Sequence, residues 1–357
     1  MNEILTEFSG NLFFFHAFDV GDDINLQALE KNRAIIQQPL SLPKYFREYN
    51  APIEVEVPHP HDHSVFFSTK IHSFGVISIT YKVPFSSTLK ELRSELDDID
   101  IKYLEHAVSD ATAIYKKIKS YVSQSKFFHL KNAYLVIQVD MPKDFDPIEI
   151  KQKYGQSIAA LLKFEVKNLS DYQKNEILKS AIGYYKNDLV VIDSAATFIC
   201  DNEYQESLDL FEFANIQQLE MKFFDKTLNN QLNTIYERKS KPLTFKAYLP
   251  FIQNRSNKEV EALERLKVDI SVITDRLESS IMTADDPYFS DIYDLVANKL
   301  DLATLKNSID RKLNIIKDVL AFYKAETDST REDLLNVLII ILIFIELVIG
   351  ILSYLSR

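Results

Sequence analysis

One cysteine, six glycines and no tryptophan occur among the 357 residues. The single thiol, Cys200, excludes an intramolecular disulfide framework and any four-cysteine zinc site. It fits a reducing compartment and reads as a small core residue, since no histidine partner is evident near it in sequence. The glycines are Gly10, Gly21, Gly75, Gly155, Gly183 and Gly350. None builds G-x-G-x-x-G, a Walker loop or a G-x-S-x-G elbow, because each of those turns needs closely spaced glycines. No cofactor is therefore expected. Scarce glycine suits a chain made largely of long helices.

Positive charge is also in short supply: 41 Lys and Arg stand against 52 Asp and Glu, a net charge of −11. A general nucleic-acid surface needs net positive charge to release counterions from phosphates, so no such partner is expected. The opening stretch "MNEILTEFSG" lacks the basic-then-apolar order of a signal peptide and the Arg-rich start of a transit peptide.

What the chain does contain falls into three parts. Residues 1–202 alternate strand and helix signals and are expected to form a cytosolic α+β domain, with a sub-boundary near 125–145. "NLFFFHAFDV", "IEVEV", "SVFFSTKI", "FGVISITYKV" and "AYLVIQVD" read as strands from their β-branched and aromatic content. "PFSSTLKELRSEL" offers a Ser or Thr N-cap before a helix that runs to about Gln124, with a break near "DDID". Shorter helices are expected in "IEIKQKYGQSIAALLKF" and "LSDYQKNEILKSAI". "DLVVIDSAATFIC" reads as two buried strands around a turn at Asp193 and Ser194.

Residues 203–330 change character. No proline or glycine interrupts Glu203–Lys239, so one long helix is the simplest reading. A second helix carries Leu263, Leu266, Ile270, Ile273 and Leu277 at alternating steps of three and four. After "MTADDPYF", with Pro287 suited to a first helical turn, a third carries Leu302, Leu305, Ile309, Leu313, Ile316, Val319 and Leu320. Such stripes form the seam of a coiled-coil-like helical hairpin, closed either within one chain or between copies.

Residues 331–357 form the third part. From Leu334 to Leu355 about 22 apolar residues, rising ~1.5 Å each, can cross a ~30 Å hydrocarbon layer. Glu346 lies near mid-depth, where a carboxylate costs about 2.5–3.5 kcal/mol; each neighbouring Ile, Leu, Val or Phe offsets roughly 0.3–0.6 kcal/mol, so insertion is still favoured. Asn336, Ile343, Glu346, Gly350 and Ser353 share one helical face. Small and polar residues there permit close approach and hydrogen bonding between helices in lipid. A single span finds its partner in another copy or another protein. The expectation is a tail-anchored, single-pass protein of the inner (cytoplasmic) membrane with its bulk in the cytosol.

The stretch "DDPYFSDIYDLVANKLDLATLKNSIDRKLNIIKDVLAFYKAETDST", followed by "IIILIFIELVIGIL", resembles the family named for being required for meiotic nuclear division, which has bacterial and mitochondrial members. Asp286-Pro287-Tyr288, Tyr293, Leu305, Arg311, Leu313, Glu346 and Gly350 sit where that family's pattern places them, while Asp310 stands in place of its asparagine. "HSFGVISITYKVPF" is similar to its aromatic-glycine-valine strand but lacks the tryptophan. The resemblance implies a membrane-anchored, self-assembling protein without an established catalytic activity.

The chemistry-bearing cluster is "VPHPHDHS", with His59, His61 and His63 on alternate positions and Asp62 among them. Alternate histidines on an extended segment share one side and suit a metal ion. The run is one residue short of the H-x-H-x-D-H spacing of metallo-β-lactamase-like hydrolases, and its prolines make a stiff exposed loop of solvated histidines the plainer reading. The leading expectation is thus a homo-oligomeric scaffold or tether at the membrane, not an enzyme, with a possible protein partner for the cytosolic domain. The alternatives are an oligomeric membrane effector or ion-conducting assembly built around Glu346, and a metal-dependent enzyme built on the histidine loop.

Overall fold

A computed structural model describes residues 6–32, 35–38, 51–56, 62, 64–125, 127, 131–140, 146–183, 188–201, 204–239, 263–268, 270–274 and 287–355. The candidate residues His59, His61, His63, Leu277 and Asp286 lie outside these residues. The chain folds as two compact units: Met1–Phe223 with Ile273–Lys306, and Phe224–Val272 with Asn307–Arg357.

The first unit is built on one mixed sheet. Its strands among the described residues are β1 (Phe8–Asp19), β2 (Gln37–Gln38), β3 (Ile53–Val55), β4 (Phe66–His72), β5 (Val76–Ser87), β6 (Lys131–Val139), β7 (Ala181–Ile182), β8 (Leu189–Ile192) and β9 (Ala196–Cys200). They lie in the order β2-β3-β4-β5-β1-β6-β9-β8-β7. All pairings are antiparallel except β6 with β9, where Leu135 faces Ala196 and Gln138 faces Ile199. The long central pair β1–β5 runs from Phe8 opposite Ser87 to Asp19 opposite Val76.

Both faces of this sheet are covered, which explains why β1 reads as an apolar run and not as a clean alternation. A short α1 (Leu26–Lys31) follows β1, and on one face of the sheet lie α2 (Leu89–Ile118), α3 (Pro147–Leu162) and α4 (Asp171–Leu178). Here Leu12, Phe14, Ile77, Ile79, Tyr81, Leu135, Ile137 and Phe198 join Leu92, Leu96, Tyr103, Ala107, Ile158 and Leu161 in one core. Thr88 caps α2 through a capping box with Glu91, satisfying orphan N–H groups of the first turn. The expected break near "DDID" does not occur, and α2 is continuous for 30 residues. The Tyr81 hydroxyl donates to Asp110 Oδ2 at 2.7 Å, giving each buried polar group its partner.

The other face is covered by the first part of α5 (Tyr204–Lys239) and by α6 (Pro287–Lys299). Phe211 stacks on Tyr134 at 6.0 Å, and the Tyr293 hydroxyl donates to Gln217 at 2.7 Å. α6 begins at Pro287, as its fixed φ favours. The chain then breaks at Asp301, with φ of 55°, before α7 (Leu302–Leu355). The sequence pattern alone predicts one unbroken helix across this point. The left-handed residue divides it, while Leu305 N–H donates to the Asp301 carbonyl to restart the helical ladder.

In the second unit the described apolar positions of the stripes are buried or half-buried. Leu263, Ile270, Ile309, Leu313, Ile316 and Leu320 are buried; Leu266 and Val319 are half-buried. Of the positions that belong to the first unit, Ile273 and Leu302 are buried and Leu305 is half-buried. Asp225 of α5 accepts a hydrogen bond from Ser308 at 2.7 Å and an ion-paired one from Lys312 of α7. α7 then continues without interruption to Leu355, a helix of 54 residues.

Candidate functional site

The α5-facing side of the sheet carries a cluster of buried polar residues. On β4 and β5 these are Ser68, Lys70, His72, Ser78 and Thr80. On α5, Glu212, Asn215, Gln217 and Glu220 are buried as well. Burying so many polar groups is costly unless they are paired, and most of them are.

Lys70 is the centre of the network. Its Nζ donates to Asp209 Oδ1 at 2.7 Å and to Glu212 Oε2 at 2.6 Å. Ser78 Oγ donates to the second oxygen, Glu212 Oε1, at 2.5 Å. Burial would depress the Lys70 ammonium, but Glu212 and Asp209 together hold it above the usual lysine range. Burial pushes Glu212 up, yet Lys70 and the Ser78 hydroxyl outweigh it and leave the carboxyl below its ordinary value. Asp209 has the same lysine but no such hydroxyl, and burial keeps it raised. Glu54 on β3 is raised chiefly by burial too. Fully buried His72 is pushed down to about 4, first by desolvation, so it is neutral.

Two further groups flank this centre. Asn132 donates to Asn215 Oδ1 at 2.9 Å and to Gln218 Oε1 at 2.7 Å, and Asn215 reaches back to the Phe15 carbonyl at 3.5 Å. Toward the end of β1, Asp19 and Glu220 are both buried. Asp19 Oδ1 accepts from Gly21 N–H at 3.1 Å, whereas Asp19 Oδ2 and Glu220 Oε1 have no hydrogen-bond partner among the described residues. Burial raises Asp19 to about 7 and carries Glu220 well above its ordinary value, with the Asp19 charge adding to the effect.

These groups form a buried polar layer between the sheet and α5. Lys70 is held protonated, and the buried Cys200 thiol is pushed up to about 12 by burial, so neither is a nucleophile at neutral pH. Asp193, at the turn between β8 and β9, pairs with Lys163 at 2.7 Å and Lys299 at 3.6 Å. It thereby ties α3 and α6 to the β8–β9 turn. Among the described residues no group of three His, Cys, Asp or Glu is placed to hold a metal. Asp62, the described member of the histidine loop, accepts from Ser64 N–H at 3.1 Å and Ser64 Oγ at 2.6 Å. That turn-capping role, led by the Ser64 hydroxyl, holds its carboxyl below the usual range.

The remaining candidate residues lie on α7. Leu335–Ser353 has a mean hydropathy of 3.0 and is 0% buried, long and apolar enough to cross a bilayer. At 3.6 residues per turn, Asn336, Ile343, Glu346, Gly350 and Ser353 fall within an arc of about 100°. Nothing lies within 4 Å of the position a Cβ on Gly350 would take. The polar wall under α5 is not marked in the sequence. Its members are scattered among Phe, Leu and Ile, and single polar residues on a helix usually face water.

An α+β domain with both faces of its sheet covered, joined to an apolar C-terminal helix, is thus the class of protein that the structure defines. Residues 9–206 match the family described as "Uncharacterized protein MJ0711, N-terminal domain", more than half of the chain, and the chain belongs to that family. Within the chain, the matched segment holds every strand from β1 to β9 and ends in the first turn of α5. The chain is also 23% identical over 264 residues to Uncharacterized protein MJ0711 of Methanocaldococcus jannaschii, covering 73% of each chain. No solved structure matches.

Proposed function

We propose that this protein is a membrane-anchored scaffold or tether whose copies associate through the Asn336, Ile343, Glu346, Gly350 and Ser353 face of α7, with the α+β domain in the cytosol at the inner (cytoplasmic) membrane. One observation carries the reading. The apolar segment Leu335–Ser353 is exposed along its whole length, and it places a carboxylate and a glycine on the same side. Lipid covers the Ile, Leu, Val and Phe surface at a gain, whereas Glu346 costs about 2.5–3.5 kcal/mol in hydrocarbon. A second copy lowers that cost by offering a hydrogen-bond partner, and Gly350 lets the backbones approach. The resemblance of the C-terminal third to the meiotic-division family supports the same reading, since it implies a self-assembling membrane protein. The buried linkage of Lys70 with Asp209 and Glu212 suits a rigid domain that presents a surface.

Two measurements test this. Alkaline carbonate washing of membranes should leave the full chain in the pellet; release into the supernatant removes the anchor. The mass of the detergent-solubilised protein should fall when Glu346→Leu is introduced; an unchanged mass removes the association face. Ion flux through liposomes that is lost in Glu346→Gln would replace the tether with a conducting assembly.

A further inference from the structure

A cluster of lysines in the α+β domain lies apart from the polar layer under α5 and from α7. α3 and α4 meet closely: a Cβ on Gly155 would come within 2.8 Å of Leu178 Cδ1. Beside this contact the two helices border a cleft of about 560 Å³, lined by Lys151, Lys153, Lys174, Lys179, Gln156 and Asn175 among others. That volume falls within the range of small-molecule sites, roughly 300–1,000 Å³. Leu178 is its one apolar residue type among the described lining residues, and the aliphatic stems of the lysines supply the rest of its apolar surface. Four lysines line it, no described lining residue is acidic, and the chain as a whole is strongly negative.

Three of these lysines have carboxylate neighbours on their own helices. Lys153 pairs with Glu149, Lys174 with Asp171 at 2.7 Å, and Lys179 with Glu176. All three are surface pairs one helical turn apart, worth about 0.2–1 kcal/mol each, and the carboxylates do not line the cleft. A multiply charged anion can exchange with them at little cost. Lys151 has no ion-pair partner among the described residues and is half-buried. The lining amides of Gln156 and Asn175 add neutral donors between the cations.

We propose that the α3–α4 cleft binds a phosphorylated anion carrying two or more phosphate groups, whether a soluble molecule or a lipid headgroup. Several ammonium groups around a polar hollow match clustered phosphate oxygens, for which lysine acts as a point charge.

The test uses the full chain in nonionic detergent. Calorimetric titration with inorganic pyrophosphate forms one arm; titration with micelles containing phosphatidylinositol bisphosphate, against micelles with phosphatidylcholine alone, forms the other. The Lys151→Gln/Lys174→Gln variant should bind at least about tenfold more weakly, since each lysine near a phosphate surface contributes appreciably and both are removed. Lys90→Gln, an exposed lysine of α2, should bind as the parent does, and an unchanged unfolding midpoint confirms that each variant is folded. Binding of both probes, weakened by the double variant, supports a phosphate site open to either source. Binding of the bisphosphate micelles alone, equally weakened, supports the lipid source. No binding of either probe, or binding that the double variant leaves unchanged, overturns the proposal.

Discussion

The carbonyl oxygen of Gly21 stands 1.7 Å from the point where a Cβ on Gly75 would lie. The chain leaving β1 and the turn between β4 and β5 are therefore in backbone contact, and Val20 N–H donates to the Gly75 carbonyl at 2.9 Å across it. Gly75 also has φ of +95°, which an L side chain rarely adopts. Gly75→Ala meets the clash and the strain together. It should lower stability by about 3 kcal/mol or more, read as a shift in denaturant midpoint without a change in slope.

The Lys70 network yields a second expectation. Lys70→Met strands Glu212 and most of Asp209 in a buried setting, and should cost about 3–5 kcal/mol. Adding Glu212→Gln removes the stranded charge while keeping an acceptor for Ser78, and should recover part of the loss. Chemical denaturation of both variants checks this. A double variant no more stable than the single one contradicts the assignment of Glu212 as the partner left charged.

Titration of the buried groups pulls in two directions. Asp19 has a folded value of about 7 against an ordinary 3.8, so the folded state holds its proton more tightly. Its cost to stability is absent near pH 4, grows as pH rises, and is complete above about pH 7. His16 and His72 have folded values of about 3 and about 4 against 6.5. Their contribution is complete above about pH 6.5 and is lost as pH falls toward those values. Between about pH 4 and 6.5 the two slopes oppose each other. Asp19→Asn keeps the acceptor for Gly21 and should raise stability above about pH 7 while leaving it nearly unchanged near pH 4. Denaturant midpoints across that range provide the check.

In the second unit, burial separates neighbours on α7. Ile316 is 1% exposed and Ile315 is 44% exposed. Ile316→Ala should cost about 2–4 kcal/mol, and Ile315→Ser should stay within about 0.5 kcal/mol. If the stripe is covered within one chain, the Ile316→Ala loss should not change with protein concentration. A loss that grows on dilution would show that the stripe closes between copies.

How legible the fold is in the sequence depends on which signal a residue sends. β-branched and aromatic runs mark β1, β4, β5, β6, β8 and β9, because strand content is written in side-chain type. Thr88 announces the start of α2 through a local cap, and Pro287 the start of α6. Asp301 sends no such signal: a single left-handed aspartate between leucines looks like a helix surface. The strand order is beyond reach as well, since the parallel β6–β9 pair depends on contacts some sixty residues apart. The polar wall shares that difficulty. Lys70 and Glu212 are separated by 142 positions, and neither looks unusual until the sheet brings them together.

Asp301 interrupts the helical path once, and α7 carries no second break between Leu302 and Leu355. At ~1.5 Å per residue the portion ahead of Leu335 is about 50 Å long, and it shares one hydrogen-bonded ladder with the portion suited to lipid. A helix without a hinge behaves as a torsion rod. Any roll that turns Glu346 toward or away from a neighbour also turns Ile309, Leu313 and Ile316, and repacking of those three side chains sets the azimuth of the glutamate in return.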